Sequence, residues 1–190
     1  MKAVAFNGSP RADGNTFLLL NCVLEEIKRS GIETELVQVG KCNVHGCRAC
    51  YQCFKQADRR CACADDCVNE WIEKMLAADA ILLGSPTYFA DITSEMKALI
   101  DRAGMTARAN GAMFSRKVGA AVVTVRRGGA IHAFDSLNHF FLISDMIVPG
   151  SSYWNLAFGR EKGQAAKDEE GMRTMQTLGR NIAWLLKKIA

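Results

Sequence analysis

Four cysteines stand at a spacing that could do chemistry together: Cys47-x2-Cys50-x2-Cys53, with Cys61 after seven further residues. Three thiolates at that pitch can converge on one small volume, and a fourth arriving from a looser arm completes a four-thiolate set. Such a set can hold an iron–sulfur cluster or a zinc ion, and two x2 spacings in succession favour the cluster over a finger. Free or oxidisable thiols are the third reading. Cys42, Cys63 and Cys67 are additional thiols in the same stretch, and His45 is near enough to compete as a ligand. Cys22, alone in a helical pattern, reads as a small buried residue.

A second constellation occupies Lys2–Thr16, KAVAFNGSPRADGNT. The apolar run Ala3-Val4-Ala5-Phe6 breaks at Asn7-Gly8-Ser9-Pro10, and a helical pattern opens after Gly14-Asn15-Thr16. Strand, polar turn and helix in that order aim backbone N–H groups and a positive helix end at an anion. Ser9, Asn15 and Thr16 add side-chain hydrogen-bonding groups, and Arg11 adds a charge suited to phosphate. Neither GxGxxG nor GxxxxGK[ST] occurs here, which excludes the two best-known anion loops. A loop rich in hydroxyl and amide side chains suits a terminal monophosphate better than a bridging pyrophosphate. The plainer alternative is a polar strand–helix connection.

These groups need a scaffold, and the chain of 190 residues is long enough for one sizeable core. With 49% hydrophobic and 23% charged residues it is ordinary in composition, so disorder is not a contender. A net charge of +4, scattered along the chain, is too small to argue for nucleic acid. No apolar run is long enough to span a bilayer, and the N-terminus enters a strand directly without a signal segment, so a cytoplasmic protein is expected. Cysteine clustering in such a chain reads as metal, cluster or redox chemistry rather than a disulfide scaffold.

Along the chain, apolar runs predict strands at Ala3–Phe6, Ile32–Val39, Asp79–Gly84, Val118–Val125 and Met146–Val148. Helices are predicted from Phe17 to about Ser30, with Gly31 as stop, and from near Asp65-Asp66, with Trp71, Ile72, Met75 and Leu76 inward. Further helices are predicted over Thr93–Ala103 with Gly104 as stop, over Ala130–Ile143, and over Ala165–Ile189. Lys41–Cys67 reads as a long loop, and Met105–Arg116 as a second one whose Met105, Met113 and Phe114 would either meet another subunit or fold on their own core. Alternating strands and helices predict an α/β fold: a flavodoxin-like three-layer sandwich with a five-stranded parallel sheet of order 2-1-3-4-5 and helices on both faces. It is expected to form a single domain over 1–190 with a cysteine-rich loop at about 41–67. Ser9–Thr16, Pro86–Ala90 and Thr124–Gly129 would then all lie at the carboxyl edge of the sheet, where such folds bind ligands.

Asn7-Gly8-Ser9-Pro10-Arg11 followed by Gly14-Asn15-Thr16 resembles the FMN-phosphate loop of the flavodoxin-like NAD(P)H-dependent FMN reductases, and the resemblance runs along most of the chain. It extends to the cysteine-rich branch, the iron–sulfur flavoproteins, whose compact cysteine run Cys47, Cys50, Cys53 and Cys61 resembles. The resemblance implies FMN as cofactor and these four cysteines as ligands of a [4Fe–4S] cluster. It assigns Ser85, Pro86, Thr87, Tyr88 and Phe89 to the flavin ring, and Thr124, Arg126, Arg127, Gly128 and Gly129 to its pyrimidine end. Arg126 or Arg127 would there stabilise negative charge on reduced flavin. NAD(P)H or a redox protein such as ferredoxin would be the electron partner, and the assembly a homodimer or homotetramer.

Hydride transfer to a flavin requires no protein acid or base, so His132 and His139 receive no role. The rival readings are an FMN or quinone reductase without a cluster and a non-enzymatic flavodoxin-type carrier. The carrier fits poorly, since flavodoxins are strongly acidic and this chain is basic.

Overall fold

The structure, a computed structural model, describes residues 1–189. Five strands form one sheet: β1 (Lys2–Asn7), β2 (Glu33–Gln38), β3 (Ala80–Pro86), β4 (Val118–Val125) and β5 (Leu156–Phe158). All pair in parallel, in the order β2-β1-β3-β4-β5. The change of direction at β1 and β3 produces the crevice in which doubly wound folds place their ligands. β1, β3 and β4 are buried along nearly their whole length, as expected for near-continuous apolar runs covered on both faces.

Helices α1 (Asn15–Arg29) and α6 (Glu169–Ile189) cover one face. Their inward residues Leu20, Val23, Ile27, Leu178 and Ile182 form one core with Ala3, Ala5, Leu82 and Val122. On the other face lie α3 (Val68–Ala77), α4 (Ser94–Ala109) and α5 (Ala130–Ile143), sealed by Trp71, Ile72, Met75, Leu99 and Phe141. A short α2 (Gln52–Gln56) interrupts the cysteine-rich segment and packs near α4.

Two expectations are corrected. Met146–Val148 is not a sheet strand: Ile147 makes one isolated bridge to Val118, and the fifth strand is Leu156–Phe158, beside Val123–Val125. That strand has three residues with only Ala157 fully buried, so it carries no apolar run to read; short edges of this kind also resist unwanted pairing. Gly104 does not stop its helix. α4 continues to Ala109 because Thr106 and Ala107 keep its inward face buried, which offsets the roughly 1 kcal/mol that a mid-helix glycine costs. Of the two readings of Met105, Met113 and Phe114, Phe114 follows the one in which it folds on its own core: it is wholly buried against Phe140, ring centroids 6.0 Å apart.

Candidate functional site

Three loops leave the carboxyl ends of β1, β3 and β4, and a chain of hydrogen bonds ties them together. Thr124, at the end of β4, is the knot: its hydroxyl meets that of Thr16 at 2.8 Å, and its carbonyl accepts both the N–H and the hydroxyl of Thr87, at 2.8 and 3.1 Å. Thr93 donates its hydroxyl to the Gly8 carbonyl at 2.9 Å and its N–H to Ser85 Oγ at 3.1 Å. Gly8 in turn donates its N–H to the Gly84 carbonyl at 2.8 Å. The predicted edge residues from all three loops are thereby brought together.

Within the first loop, Ser9 Oγ accepts the Arg11 N–H at 3.1 Å, and no side chain caps the first turn of α1. The loop thus presents backbone N–H groups at a positive helix end. Asn15 uses both ends of its amide to hold a segment that follows β5, donating to the Glu161 carbonyl at 2.9 Å and accepting the Ala165 N–H. Lys162 pairs with Asp13, and Arg11 reaches the Arg160 carbonyl. Residues 159–165 therefore form a fourth wall, which sequence reasoning missed because their strand is so short.

The other loops are more exposed. Phe89 is fully exposed, and both Phe89 (φ 47°) and Ala90 (φ 68°) sit in the left-handed region, at about 1–2 kcal/mol each. Strain in non-glycine residues clusters where a ligand or clamp needs it. Gly129 (φ 89°) lies so close that an added Cβ would meet Ala90 Cα at 2.9 Å, so the second and third loops touch there. Arg126, Arg127 and Gly128 are exposed beside them, and Tyr88 is half exposed. Ser85, by contrast, is fully buried and builds the turn. His132 approaches Asp91 to 3.5 Å; burial alone would push the Asp91 carboxyl up, but Ser136, the Ile92 N–H and His132 hold it below its ordinary value.

The second site is a small pocket lined by Cys47, Cys50, Cys53, Cys61 and Cys63 together with Arg102 and Met105. All four predicted ligands are present. Cys53, on α2, is the buried one; burial first, then the neighbouring Cys61 and Cys47, push its thiol up. Cys42 and Cys67 neighbour each other outside this pocket, and Cys22 lies half-buried in α1. Among the described residues no three His, Cys, Asp or Glu side chains are close enough to share one metal ion. A zinc site would require every sulfur within about 2.3 Å of one point, whereas a cluster distributes its thiolates over several irons. Thiols on the walls of one pocket supply the donor type and number that a four-thiolate centre takes.

Sequence reading did not anticipate the pocket's back wall. Arg102, on α4, is wholly buried and pairs with Asp66, a partly buried residue whose carboxylate is turned inward. Burial alone would raise the Asp66 carboxyl, yet Arg102 and the Val68 N–H hold it below its usual value. Asn69 grips the Cys61 backbone from both sides, accepting its N–H at 2.8 Å and donating to its carbonyl at 2.9 Å. One signal was available: Arg102 falls on the same helix face as Leu99, Ala103 and Thr106, where a charge needs a partner. α4 joins the two sites, since Thr93 at its start fastens the first loop and Arg102 follows nine residues later, about 14 Å along the axis.

Comparison with known proteins agrees with this architecture. The model of the family described as NADPH-dependent FMN reductase matches residues 1–161. An iron–sulfur flavoprotein of Methanocaldococcus jannaschii is 35% identical, the alignment covering 100% of this chain and 99% of that protein. An iron–sulfur flavoprotein of Methanosarcina thermophila is 33% identical, with 100% and 97% covered. Among solved structures, a WrbA-like flavodoxin from Agrobacterium tumefaciens superimposes with a TM-score of 0.69 at 15% identity, over 98% of each chain. With three loops gathered at the edge of a 2-1-3-4-5 sheet and a family model spanning most of its length, the chain belongs to the NADPH-dependent FMN reductase family of flavodoxin-like oxidoreductases.

Proposed function

We propose that this protein is an iron–sulfur flavoprotein, an oxidoreductase that binds FMN at the three-loop edge and a [4Fe–4S] cluster in the cysteine pocket. The observation that carries the reading is the second site: Cys47, Cys50, Cys53 and Cys61 line one pocket on the same α4 whose start fastens the candidate phosphate loop. Ser9, Arg11, Asn15 and Thr16 are assigned to the phosphate end through the loop they build. Ser85, Pro86, Thr87, Tyr88 and Phe89 are assigned to the ring, and Thr124, Arg126, Arg127, Gly128 and Gly129 to the pyrimidine end. Bound FMN supplies two-electron chemistry with a nicotinamide donor, and a bound cluster single-electron exchange. The protein's own part is to fix both groups, to leave the exposed Phe89 turn open beside the donor's approach, and to place the Arg126 and Arg127 charges near the flavin.

NAD(P)H or a redox protein such as ferredoxin serves as reductant in this reading, within one functional unit spanning the chain. Eight free thiols suit a reducing, cytoplasmic compartment. Protein purified without oxygen is expected to show two flavin absorption bands and a broad, dithionite-bleachable shoulder, with about four irons and four sulfides per chain. Flavin bands without iron would replace this reading with a cluster-free FMN or quinone reductase, and absence of flavin would overturn both.

The assembly is proposed to be a homodimer or homotetramer. Leu142 and Ile143 on α5 are 64% and 77% exposed, and Ile131, Tyr153 and Trp154 are exposed too; large apolar side chains left in water in this way support a subunit contact. Light scattering should give a mass of two or four times 20.8 kDa; a monomer mass at micromolar concentration would refute it.

A further inference from the structure

We propose that Arg102 sets the electrochemistry of the cysteine pocket, acting as a positioning residue through the sulfur of Cys61; the proposal rests on the cluster reading above. A fully buried arginine is rare, and this one distributes its donors with little waste. Nε–H points at Cys61 Sγ at 3.4 Å, one Nη donates to the His45 carbonyl at 3.3 Å and to Asp66, and the other donates to the Cys63 carbonyl. Three parts of the cysteine-rich segment, at residues 45, 61–63 and 66, are thereby pinned to one point on α4. Cys61 is the ligand that the spacing leaves loosest, seven residues beyond the compact run, and it is held at its backbone by Asn69 and at its sulfur by Arg102.

A buried ion pair contributes little to stability compared with apolar packing of the same volume, so stability alone is a weak reason for this one. A second role follows from its direction. A hydrogen bond and a positive charge at a ligating sulfur stabilise the more negative, reduced state, and hydrogen bonds to cluster sulfurs are among the factors that set potential. The couple concerned exchanges one electron, supplied in the test by dithionite, and no bond is made or broken. Arg102 should therefore hold the potential of the centre above the value it would take without that donor.

The test is an anaerobic potentiometric titration of the full chain, followed by electron paramagnetic resonance. Iron and sulfide in the unaltered protein are measured first, so failure of the cluster reading is seen before any variant is made. The paired variant Arg102→Gln with Asp66→Asn removes both charges of the ion pair. It is expected to lower the midpoint potential by at least 59 mV, the equivalent of a tenfold change in the reduced-to-oxidised ratio for one electron. Flavin content should stay constant. Arg102→Lys retains charge without the fork and should give a smaller fall. Asn69→Ser, which loosens the Cys61 backbone and leaves the sulfur's donor in place, should lower iron loading without moving the potential. Unchanged potential in both Arg102 variants with iron retained would overturn the proposal, as would an equal shift in Asn69→Ser. Should the paired variant lose its iron, Arg102→Lys decides alone: a lowered potential supports the proposal and an unchanged one overturns it.

Discussion

Gly40→Ala is expected to leave a folded protein that loses FMN on a desalting column, with affinity weakened at least tenfold. Gly40 follows β2, where the chain passes directly under the first loop. A Cβ there would stand 2.2 Å from the Ser9 carbonyl oxygen and 2.3 Å from its carbon, and neither is the end of a flexible side chain. The same residue donates its N–H to the Asn7 carbonyl at 3.0 Å, while Gln38 Nε2 bridges the Ser9 and Gly40 carbonyls at 2.7 and 2.8 Å. The Ser9–Pro10 peptide is thus clamped from below and has to move as a unit if the clamp is filled. Overpacking of this kind costs about 1–3 kcal/mol, and about 1.4 kcal/mol of it expressed at the ligand is already a factor of ten. Gly150→Ala is the control, since a Cβ there meets nothing within 4 Å and flavin content should not change. Flavin titration of the apoprotein measures both variants. Wild-type affinity in Gly40→Ala would show that the Ser9–Thr16 loop is not what holds the cofactor.

That residue also marks how far the sequence could be read. The parallel sense of the sheet and the three loops at its carboxyl edge follow from local signals, apolar runs at Ala3–Phe6, Asp79–Gly84 and Val118–Val125 that each end in polar turn residues, whereas the order 2-1-3-4-5 rests on the flavodoxin-like pattern that the first loop suggests. Such signals are legible because buried strands and turn chemistry are short-range. Gly40 gives no local signal, because its need to be small comes from a backbone 31 residues earlier in the chain. β5 escaped for a similar reason: its three residues are placed by pairing with Val123–Val125 and carry no periodicity of their own. At the cysteines, spacing identified the thiols but not their supports. Arg102 shows itself in the sequence only as a charge on the apolar face of α4; its partners, and the part played by Asn69, are set when α3 and α4 fold against the segment that precedes them. At the end of α4, propensity alone makes Gly104 a stop, and tertiary burial of Thr106 and Ala107 outweighs it.

Cys53→Ser should reduce iron from about four per chain to well below one while leaving the flavin bands intact, since a serine oxygen is a much poorer donor to cluster iron than a thiolate. Cys53 is the most informative of the four because it is the most buried, on α2 with its sulfur 4.0 Å from the Met105 carbonyl. Serine is close to it in volume, so loss of iron would reflect the lost ligand rather than collapse of the wall. Iron, sulfide and flavin analysis on the same sample separates the two sites. Two further variants resolve the ligand set. Cys67→Ser, outside the pocket, should keep its iron. Cys61→Ser should lose it, and Cys63→Ser should not, because the Arg102 Nε–H and the Asn69 grip both converge on Cys61, whereas Cys63 is held through its carbonyl alone. The reverse result for that pair would move the fourth ligand two residues along the chain and detach Arg102 from the centre. Full iron in Cys53→Ser would show that the pocket's thiols do not carry a cluster, leaving the flavin edge as the protein's redox site.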